Sequence, residues 1–316
     1  MKELSVLMSI YNETKQMIEE SVESILNQTF TNFEFIIICD NPLRKKEIDD
    51  IFRKFNDERI KLVFNEKNIG LALSMNKAAE IASAEIFARM DADDVAEPNR
   101  FSAQIKIINQ GYDFVFCNYT CIDEDGNTIP FQQVVYKTDV LNKIVSTNPG
   151  IIHHPTTMFT RELFYKAGEY RNFPCAQDND LWLRMQENGA KFYMIAEPML
   201  KYRVTNRSIT GSKWFKQQLT THYIIKLSIE RLKHGIDSYS LDHYENYLAA
   251  HSVNNKTKEA TLRQAEHILT TAMQYRIEGK IIKSFLSKLY VFITCPILRN
   301  YYIMVIHKKI IQKYAL

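Results

Sequence analysis

The chain has 316 residues, 46% hydrophobic and 24% charged, which excludes a disordered or collagen-like protein and provides enough apolar residues for a sizeable core. Its formal net charge of +3 is too small to indicate nucleic acid as a partner, and we predict none. Five scattered cysteines form no disulfide pattern and the N-terminus carries no signal peptide, so we expect free thiols and a cytoplasmic location.

Short apolar runs alternate with helical periodicities over roughly the first 120 residues. This alternation predicts an α/β domain whose mostly parallel sheet is covered by helices on both faces. The predicted strands are Leu4–Ile10, Phe33–Cys39, Ile60–Phe64, Ile86–Met90 and Phe114–Asn118. The predicted helices cover Met17–Leu26, Ile48–Phe55, Gly70–Ala82 and Phe101–Ile108.

The alternation weakens after about residue 120. Asp123–Asn127 is a turn signal that predicts a hairpin, and we expect an extended stretch at Thr156–Thr160. A polar start before an apolar-periodic segment predicts a helix over Gln177–Arg184. From Lys213 the composition changes to long helical patterns rich in Lys, Tyr and Ile. We therefore predict a domain at residues 1–212 and a helical, basic C-terminal region at residues 213–316.

An acidic cluster, Asp91-Ala92-Asp93-Asp94, directly follows the predicted strand that ends at Met90. Like charges this close raise one another's pKa unless a cation neutralises them. Carboxylate oxygens suit Mg²⁺ or Mn²⁺, and Mg²⁺ is typically held by one or two carboxylates together with substrate phosphates. The cluster therefore predicts a metal–diphosphate site at the carboxyl edge of the sheet. The alternative is that these acids cap a helix that begins near Pro98.

The last forty residues are strongly basic and contain short apolar segments between the charges. Neither Tyr290–Cys295 nor Tyr301–Ile306 approaches the roughly 20 residues that a membrane span requires. A basic, aromatic, amphipathic tail suits the surface of an anionic membrane. The alternatives are a helical appendage packed on the first domain and a homodimer interface. From Arg276 onward the sequence has one acidic residue, Glu278. The basic residues are Arg276, Lys280, Lys283, Lys288, Arg299, Lys308, Lys309 and Lys313.

Seven segments, in order along the chain, resemble family 2 glycosyltransferases of the GT-A fold. They are Val6–Asn12, Ser24–Phe30, Phe35–Asp40, Asn68–Leu71, Ala88–Asp94, His154–Phe159 and Gln177–Arg184. The resemblance spans roughly residues 4–210, about two-thirds of the chain. It implies a Rossmann-like GT-A sheet flanked by helices, and transfer of a sugar from a nucleotide-diphosphate donor, usually with inversion at the anomeric carbon.

The resemblance also implies residues for the donor site. Ser9 and Tyr11 match the nucleotide pocket, with Tyr11 packing on the base. Asp40 matches the acid that hydrogen-bonds the base, typically uracil. Asp91 and Asp93 match the D-x-D pair, which makes Asp93 the direct metal ligand and places Asp91 toward the ribose and the metal. The bound ion is expected to be Mn²⁺ or Mg²⁺.

Asp178 matches the general base that deprotonates the acceptor hydroxyl. A single displacement needs such a carboxylate, because the attacking oxygen must lose its proton. Asp180 competes for this role, but it lies four residues before Arg184 and is suited to a structural i,i+4 ion pair. Both acids could instead cap the helix. From its position in the family pattern we predict that Asp178 is the base.

Two further residues carry less specific predictions. By its family position His154 lines the acceptor side of the site, and the alternative is a satisfied histidine beside Pro155. Arg203 falls in a region that often closes over the donor diphosphate in such enzymes. The alternative for Arg203, and for Arg207, is a solvated surface charge.

Two positions depart from the family pattern. The second strand is commonly followed by Asp-Asp-Gly-Ser, whereas here Cys39-Asp40-Asn41-Pro42 stands and the first acid is lost. The usual Glu-Asp before the base helix is Gln177-Asp178, which removes a negative charge beside the predicted base.

Together these features predict a metal-dependent, inverting glycosyltransferase of the hexosyltransferase type that uses a UDP-sugar. The expected acceptor is a saccharide or lipid-linked saccharide in bacterial cell-surface polysaccharide synthesis, at the cytoplasmic face of the membrane. One alternative is a nucleotidyltransferase, although Ser9–Lys15 lacks the glycine that a phosphate-binding loop favours. The other is a catalytically degenerate module that binds nucleotide-sugar.

Overall fold

The computed structural model describes residues 2–131, 134–205, 214–251 and 253–314. The chain forms two compact units, Met1–Gly211 and Ser212–Leu316. The boundary predicted between residues 212 and 213 lies within residues 206–213, which are outside the described ranges. The functions assigned to the two regions from sequence remain predictions.

The described residues of the first unit form one sheet of nine strands. The strands are β1 Leu4–Ile10, β2 Phe33–Cys39, β3 Ile60–Phe64, β4 Ile86–Asp91, β5 Val95–Ala96, β6 Phe114–Ile122, β7 Thr128–Ile129, β8 Thr157–Thr160 and β9 Phe192–Arg203. Their order in the sheet is β3-β2-β1-β4-β8-β6-β9-β5, and β7 pairs with β6 at the side of this path.

The sheet is parallel in its first half and mixed in its second. β1 pairs in parallel with β2 and β4, and β2 pairs in parallel with β3. β8 then runs antiparallel between β4 and β6, while β6 and β9 are parallel. The predicted α/β class is confirmed, and the carboxyl ends of β1, β2 and β4 lie at one edge.

Seven α-helices of the first unit are found in its described residues. Several helix ends differ from the sequence prediction by one to three residues. The second helix begins at Lys45 and not at Ile48, and it ends at Phe52, so Phe55 lies beyond it. Phe55 nevertheless packs against the core, which explains why its spacing resembles that of a longer helix. The helices are α1 Lys15–Leu26, α2 Lys45–Phe52, α3 Leu71–Ile81, α4 Arg100–Ile108, α5 Thr138–Val145, α6 Arg161–Lys166 and α7 Gln177–Glu187.

The sheet separates two hydrophobic cores. Val6, Met8 and Ile37 belong to one core, and Leu7 and Ile36 belong to the other. Successive side chains of a strand point to opposite faces, so a strand that is covered on both sides is predominantly apolar. Helices α1, α2 and α4 cover the first core, and α3, α5, α6 and α7 cover the second. This arrangement explains why the strand sequences are mostly apolar and do not alternate with polar residues.

The predicted hairpin is confirmed. β6 and β7 pair antiparallel, and the chain reverses between them at residues 123–127. Oδ1 of Asp123 accepts hydrogen bonds from the backbone N of Asp125 and of Asn127, which stabilises the turn. All five cysteines are buried and form no disulfide bond, in agreement with the expected free thiols.

The described residues of the second unit form five helices. α8 contacts α9 and α12, and α11 contacts α10 and α12. None of the described helices is by itself long and apolar enough to cross a membrane; Ile281–Thr294 and Pro296–Lys313 meet those criteria only as a pair, which is bent by 106°. The helices are α8 Trp214–His234, α9 Leu241–Ala250, α10 Lys256–Ile277, α11 Ile281–Thr294 and α12 Pro296–Tyr314.

Candidate active site

Predicted donor-site residues meet at the carboxyl edge of the parallel strands. Ser9 and Asp91 are register partners on β1 and β4, so their backbones are adjacent. Asp40 directly follows β2, whose last residue pairs with Ile10. Tyr11 follows β1 and leaves 43% of its surface exposed, which makes its ring accessible to a ligand. The fold therefore brings the sequence-predicted donor residues to one edge.

The acidic cluster forms a compact group of oxygen ligands. One carboxylate oxygen from each of Asp91, Asp93 and Asp94 lies within 4.8 Å of the others. Asp94 is fully buried, and its Oδ1 accepts a hydrogen bond of 2.8 Å from the backbone N of Arg203. Its Oδ2 has no hydrogen-bond partner among the residues that the structure describes. The helix-capping alternative is wrong, because α4 begins after Asn99 without a side-chain cap.

The electrostatics of this cluster suit a divalent cation. Burial, together with the charges of Asp91 and Glu13, raises the pKa of Asp93 to about 7. Burial, together with the charges of Asp93 and Asp91, also raises the pKa of Asp94. Three hard oxygen ligands, one of them buried without a donor, form a set that suits Mg²⁺ or Mn²⁺. Asp91 and Asp93 thus fit their predicted role, and the geometry adds Asp94 to the ligand candidates.

Glu13 is a fourth carboxylate at this edge that the sequence analysis missed. Its Oε2 accepts a hydrogen bond of 2.6 Å from the backbone N of Tyr11. Burial raises the pKa of Glu13, and the charge of Asp91 raises it further. The available signal was its position, because an acid just after β1 must lie at the same edge as an acid at the end of the neighbouring parallel strand β4.

Arg89 is a second residue that the sequence analysis missed. It lies two residues before Asp91 on β4, so both side chains point to the same face, and its Nη2 donates to Oδ1 of Asp91. The side chain is almost completely buried, and its Nε and Nη1 have no hydrogen-bond partner within the described ranges. A lone charged residue inside an apolar strand was the signal that could have identified it.

Asp178 occupies the first turn of α7. The helix begins after Ala176, a non-glycine residue in the left-handed conformation with φ 54°, and Oδ1 of Asp178 accepts a 2.9 Å hydrogen bond from the N of Asn179. Burial raises the pKa of Asp178 to about 6; the charge of Asp91 also raises it, whereas Arg89 lowers it. The predicted base therefore lies within the electrostatic reach of the acidic cluster.

Asp180 has the structural role that was predicted as its alternative. It is fully buried, and its Oδ2 lies 2.8 Å from Nη2 of Arg184, four residues later on α7. This buried i,i+4 ion pair confirms the sequence expectation for the two residues. A carboxylate held in such a pair is poorly suited to accept a proton from a substrate.

His154 and Asp40 make extensive contacts within the protein. Nε2 of His154 lies 2.8 Å from the Tyr170 hydroxyl, and burial keeps the pKa of this ring well below its usual range. These contacts are those of a satisfied buried histidine, so a contact with the acceptor remains a prediction. Oδ2 of Asp40 accepts from the N of Gly70 at 2.8 Å, and Oδ1 accepts from the N of Ile69 at 2.9 Å. Its contact with the base also remains a prediction.

Arg203 connects three segments around the acidic cluster. Its Nε donates to the carbonyl oxygen of Asp93 at 2.7 Å, and its Nη1 donates to the carbonyl oxygens of Asp123 and Glu124. Its Nη2 lies 2.6 Å from Oε2 of Glu20. Because Arg203 is buried, it is not a solvated surface charge, and its contact with the donor diphosphate remains a prediction. Arg207 lies outside the described residues.

Comparison with known proteins decides the family. The sequence profile described as "Glycosyl transferase family 2" matches residues 5–168, which include the donor edge and the acidic cluster. The chain belongs to this family. It is therefore a glycosyltransferase, and the nucleotidyltransferase alternative is wrong.

Individual relatives agree with this assignment. An uncharacterized glycosyltransferase of Methanocaldococcus jannaschii is 37% identical over 236 residues, covering 73% of this chain and 81% of that protein. The putative teichuronic acid biosynthesis glycosyltransferase TuaG of Bacillus subtilis is 30% identical over 234 residues, covering 72% of this chain and 89% of that protein. The crystal structure of S. aureus TarS 1-349 in complex with UDP-GlcNAc superposes with a TM-score of 0.59 at 17% identity, covering 78% of this chain and 71% of that chain. This likeness confirms the GT-A fold prediction.

Proposed function

We propose that this glycosyltransferase is inverting and metal-dependent, and that it transfers a sugar from a UDP-sugar to a saccharide or lipid-linked acceptor in cell-surface polysaccharide synthesis. The observation that carries the proposal is the oxygen cluster of Asp91, Asp93 and Asp94 within electrostatic reach of Asp178. The TarS complex with UDP-GlcNAc supports a UDP-sugar donor, and TuaG supports a polysaccharide setting. The buried thiols support a cytoplasmic location.

The residues that would bind the sugar donor lie at the carboxyl edge of the sheet. The exposed side chain of Tyr11 would pack on the nucleotide base, near Ser9 at the end of β1. Asp91 and Asp93, with Asp94 behind them, would hold a divalent cation against the diphosphate. When bound, that cation offsets the negative charge that develops on the departing diphosphate. Arg89 and Arg203 hold the cluster in place through Asp91 and the Asp93 carbonyl.

The acceptor side requires a base, and Asp178 is suited to it. The acceptor oxygen forms a bond to the anomeric carbon while the bond from that carbon to the diphosphate oxygen breaks. The hydroxyl proton passes to the Asp178 carboxylate, and the diphosphate leaves with the electron pair. A pKa of about 6 keeps Asp178 mostly ionised at neutral pH while leaving it basic enough to accept the proton. No covalent enzyme intermediate is needed, and the configuration inverts.

Calorimetric titration with UDP-, GDP- and dTDP-sugars tests the donor side. Each nucleotide-sugar is titrated into the protein, first in the presence of Mn²⁺ and then in EDTA. The proteins compared are the wild type, Asp93→Asn and the control Asp125→Asn. The control changes an exposed acid in the hairpin turn. We expect one UDP-sugar to bind only with Mn²⁺, to lose binding in Asp93→Asn and to keep it in Asp125→Asn. Binding that persists in EDTA would contradict the metal role, and no binding of any nucleotide-sugar would contradict the proposed donor.

A further inference from the structure

Helix α11 exposes most of its large apolar side chains to solvent. Its buried residues are Ser284, which is small and polar, and Val291. Ile282 is 75% exposed and Phe285 63% exposed, although side chains of this kind are usually buried in water-soluble domains. We define the α11 apolar face as the exposed residues Ile281, Ile282, Phe285, Leu286, Leu289, Tyr290, Phe292 and Ile293.

The side chains of the α11 apolar face form one continuous surface on one side of the helix. At about 100° per residue, its side chains centre on the side opposite Ser284 and Val291. Lys283 and Lys288 fall on the two borders between the apolar face and the buried stripe, and both are exposed. Lysines at these borders can extend their ammonium groups away from the apolar side while their methylene chains stay against it. The helix thus presents a broad apolar surface with a basic margin.

The charge of this region is of one sign. Residues 279–316 contain no aspartate or glutamate, and their basic residues are Lys280, Lys283, Lys288, Arg299, Lys308, Lys309 and Lys313. Of these, Lys308 is buried and Lys280 lies 2.7 Å from Glu278. α12, which contacts α11, adds further exposed apolar side chains. These are Tyr302, Ile303, Ile306 and Ile310. The combination of apolar surface and net positive charge selects an apolar partner with anionic groups at its border.

We propose that α11 docks on the surface of an anionic lipid bilayer and lies in its plane. The α11 apolar face would enter the boundary between headgroups and acyl chains, and Lys283 and Lys288 would meet anionic headgroups. A helix of 14 residues is about 21 Å long, shorter than the roughly 30 Å hydrocarbon core, so α11 lies in the interface rather than across the bilayer.

Charge separates this occupant from a second copy of the chain. A two-fold dimer through α11 would bring two such basic regions against each other, and like charges at an interface oppose association. An anionic bilayer instead has negatively charged headgroups that can meet the lysines of α11, and an acyl-chain region below them that can cover the α11 apolar face. The inference stands on α11 alone and does not depend on the proposed donor or acceptor, so its test is independent of theirs.

Vesicle flotation of the 316-residue chain tests the docking. Vesicles of phosphatidylcholine alone are compared with vesicles containing 30 mol% phosphatidylglycerol, each at low and high salt. We expect binding to the anionic vesicles, and a decrease when salt rises. In Phe285→Gln/Leu289→Gln the partition coefficient should fall about tenfold or more, because two apolar side chains no longer enter the bilayer. In Lys283→Gln/Lys288→Gln we expect an about tenfold fall, confined to low salt and anionic vesicles.

A matched control changes exposed apolar residues of the same unit that lie outside α11. Ile236 is 71% exposed and Met273 is 64% exposed, so Ile236→Gln/Met273→Gln should change the partition coefficient less than twofold. Thermal unfolding verifies that each variant is folded.

Four outcomes would overturn the proposal. The first is absence of binding to either kind of vesicle, and the second is equal binding by wild type and Phe285→Gln/Leu289→Gln. The third is resistance to alkaline carbonate extraction, which would indicate a spanning segment instead of an interfacial helix. The fourth is a dimer in sedimentation equilibrium that dissociates in Phe285→Gln/Leu289→Gln, which would assign the α11 apolar face to a second copy.

Discussion

The two units depart from the usual pattern of burial in opposite directions. The first unit buries charged side chains beside the acidic cluster, such as Arg89 and Asp94, and leaves some of their polar atoms without partners among the described residues. The second unit exposes apolar side chains such as Ile282 and Phe285. Each departure costs stability in the free protein, through desolvated charge in one case and hydrated apolar surface in the other.

Both costs fall where a ligand of matching chemistry would remove them. A cation and a diphosphate would complete the carboxylate cluster, and a lipid surface would cover the α11 apolar face. The residues that depart from the burial rule therefore indicate function better than the residues that obey it. Four predictions test this comparison in the first unit, where function and stability can be measured separately.

The largest effect is expected when the proposed base loses its charge. Asp178→Asn should lower kcat by roughly 10²–10⁴-fold, because the acceptor hydroxyl no longer has a carboxylate to accept its proton. Donor binding by calorimetry should change little. The matched control is Asp180→Asn, two residues later on the same helix, which breaks the buried pair with Arg184. That variant should lose several kcal/mol of unfolding free energy in urea titrations. A large kcat loss in a well-folded Asp180→Asn, with an active Asp178→Asn, would reverse the two assignments.

The second prediction concerns stability against pH without metal. Burial raises the pKa of Asp93 from 3.8 to about 7, so the folded state keeps a proton that the unfolded state releases between these values. The contribution is therefore largest at low pH and is lost as the pH rises towards 7. In EDTA, the unfolding free energy of the wild type relative to Asp93→Asn should fall from pH 5 to pH 7, by about 1.4 kcal/mol for each pH unit at most.

The difference between the two proteins reports the Asp93 carboxyl group together with Asp94, whose pKa the charge of Asp93 raises. Buried histidines titrate in the same range, but they are present in both proteins and cancel. Glu34, whose pKa is lowered to about 2 by its hydrogen bonds, matters only below pH 5. Added Mn²⁺ should stabilise the wild type more at pH 7 than at pH 5, because fewer protons must leave the carboxyl groups of the cluster at the higher pH. If the difference in unfolding free energy between the two proteins stayed constant with pH in EDTA, Asp93 would be solvated and its pKa would not be raised.

Arg89 should have a smaller, diagnostic effect. Arg89→Met removes the partner of Asp91 and the positive charge that lowers the pKa of Asp178. We expect kcat at pH 7 to fall about tenfold, and the acidic limb of the pH–rate profile to move to higher pH. Arg89→Lys should restore part of the effect of the positive charge on the pKa of Asp178. It should not restore the planar, forked hydrogen-bonding geometry of the guanidinium group. The control is Arg59→Met, whose pair with Asp57 lies outside the carboxylate cluster. An unchanged pH profile in Arg89→Met would limit Arg89 to a structural role.

Sequence reasoning succeeded where local rules determine position. Parallel strands end at one edge, so the strand pattern alone places Ser9 and Asp91 together, and i,i+4 spacing on a helix predicts the pair of Asp180 and Arg184. It failed where contacts join distant parts of the chain. The bond from the N of Arg203 to Asp94 spans 109 residues, and no periodicity encodes it. Similarly, apolar spacing in α11 could not tell which side of the helix is buried.

The smallest expected effect decides between the two interpretations of His154. Tyr170→Phe removes the hydroxyl 2.8 Å from Nε2 of His154 and leaves that buried nitrogen without this partner. If the histidine is structural, the unfolding free energy should fall by about 1–3 kcal/mol while kcat and KM stay within twofold. Tyr165→Phe is the control, because its hydroxyl donates to the carbonyl oxygen of Ala79 near the surface and should cost less. A rise in the acceptor KM of Tyr170→Phe, with unchanged stability, would instead show that His154 contacts the acceptor, and the buried histidine would join Asp178 as a residue of the acceptor site.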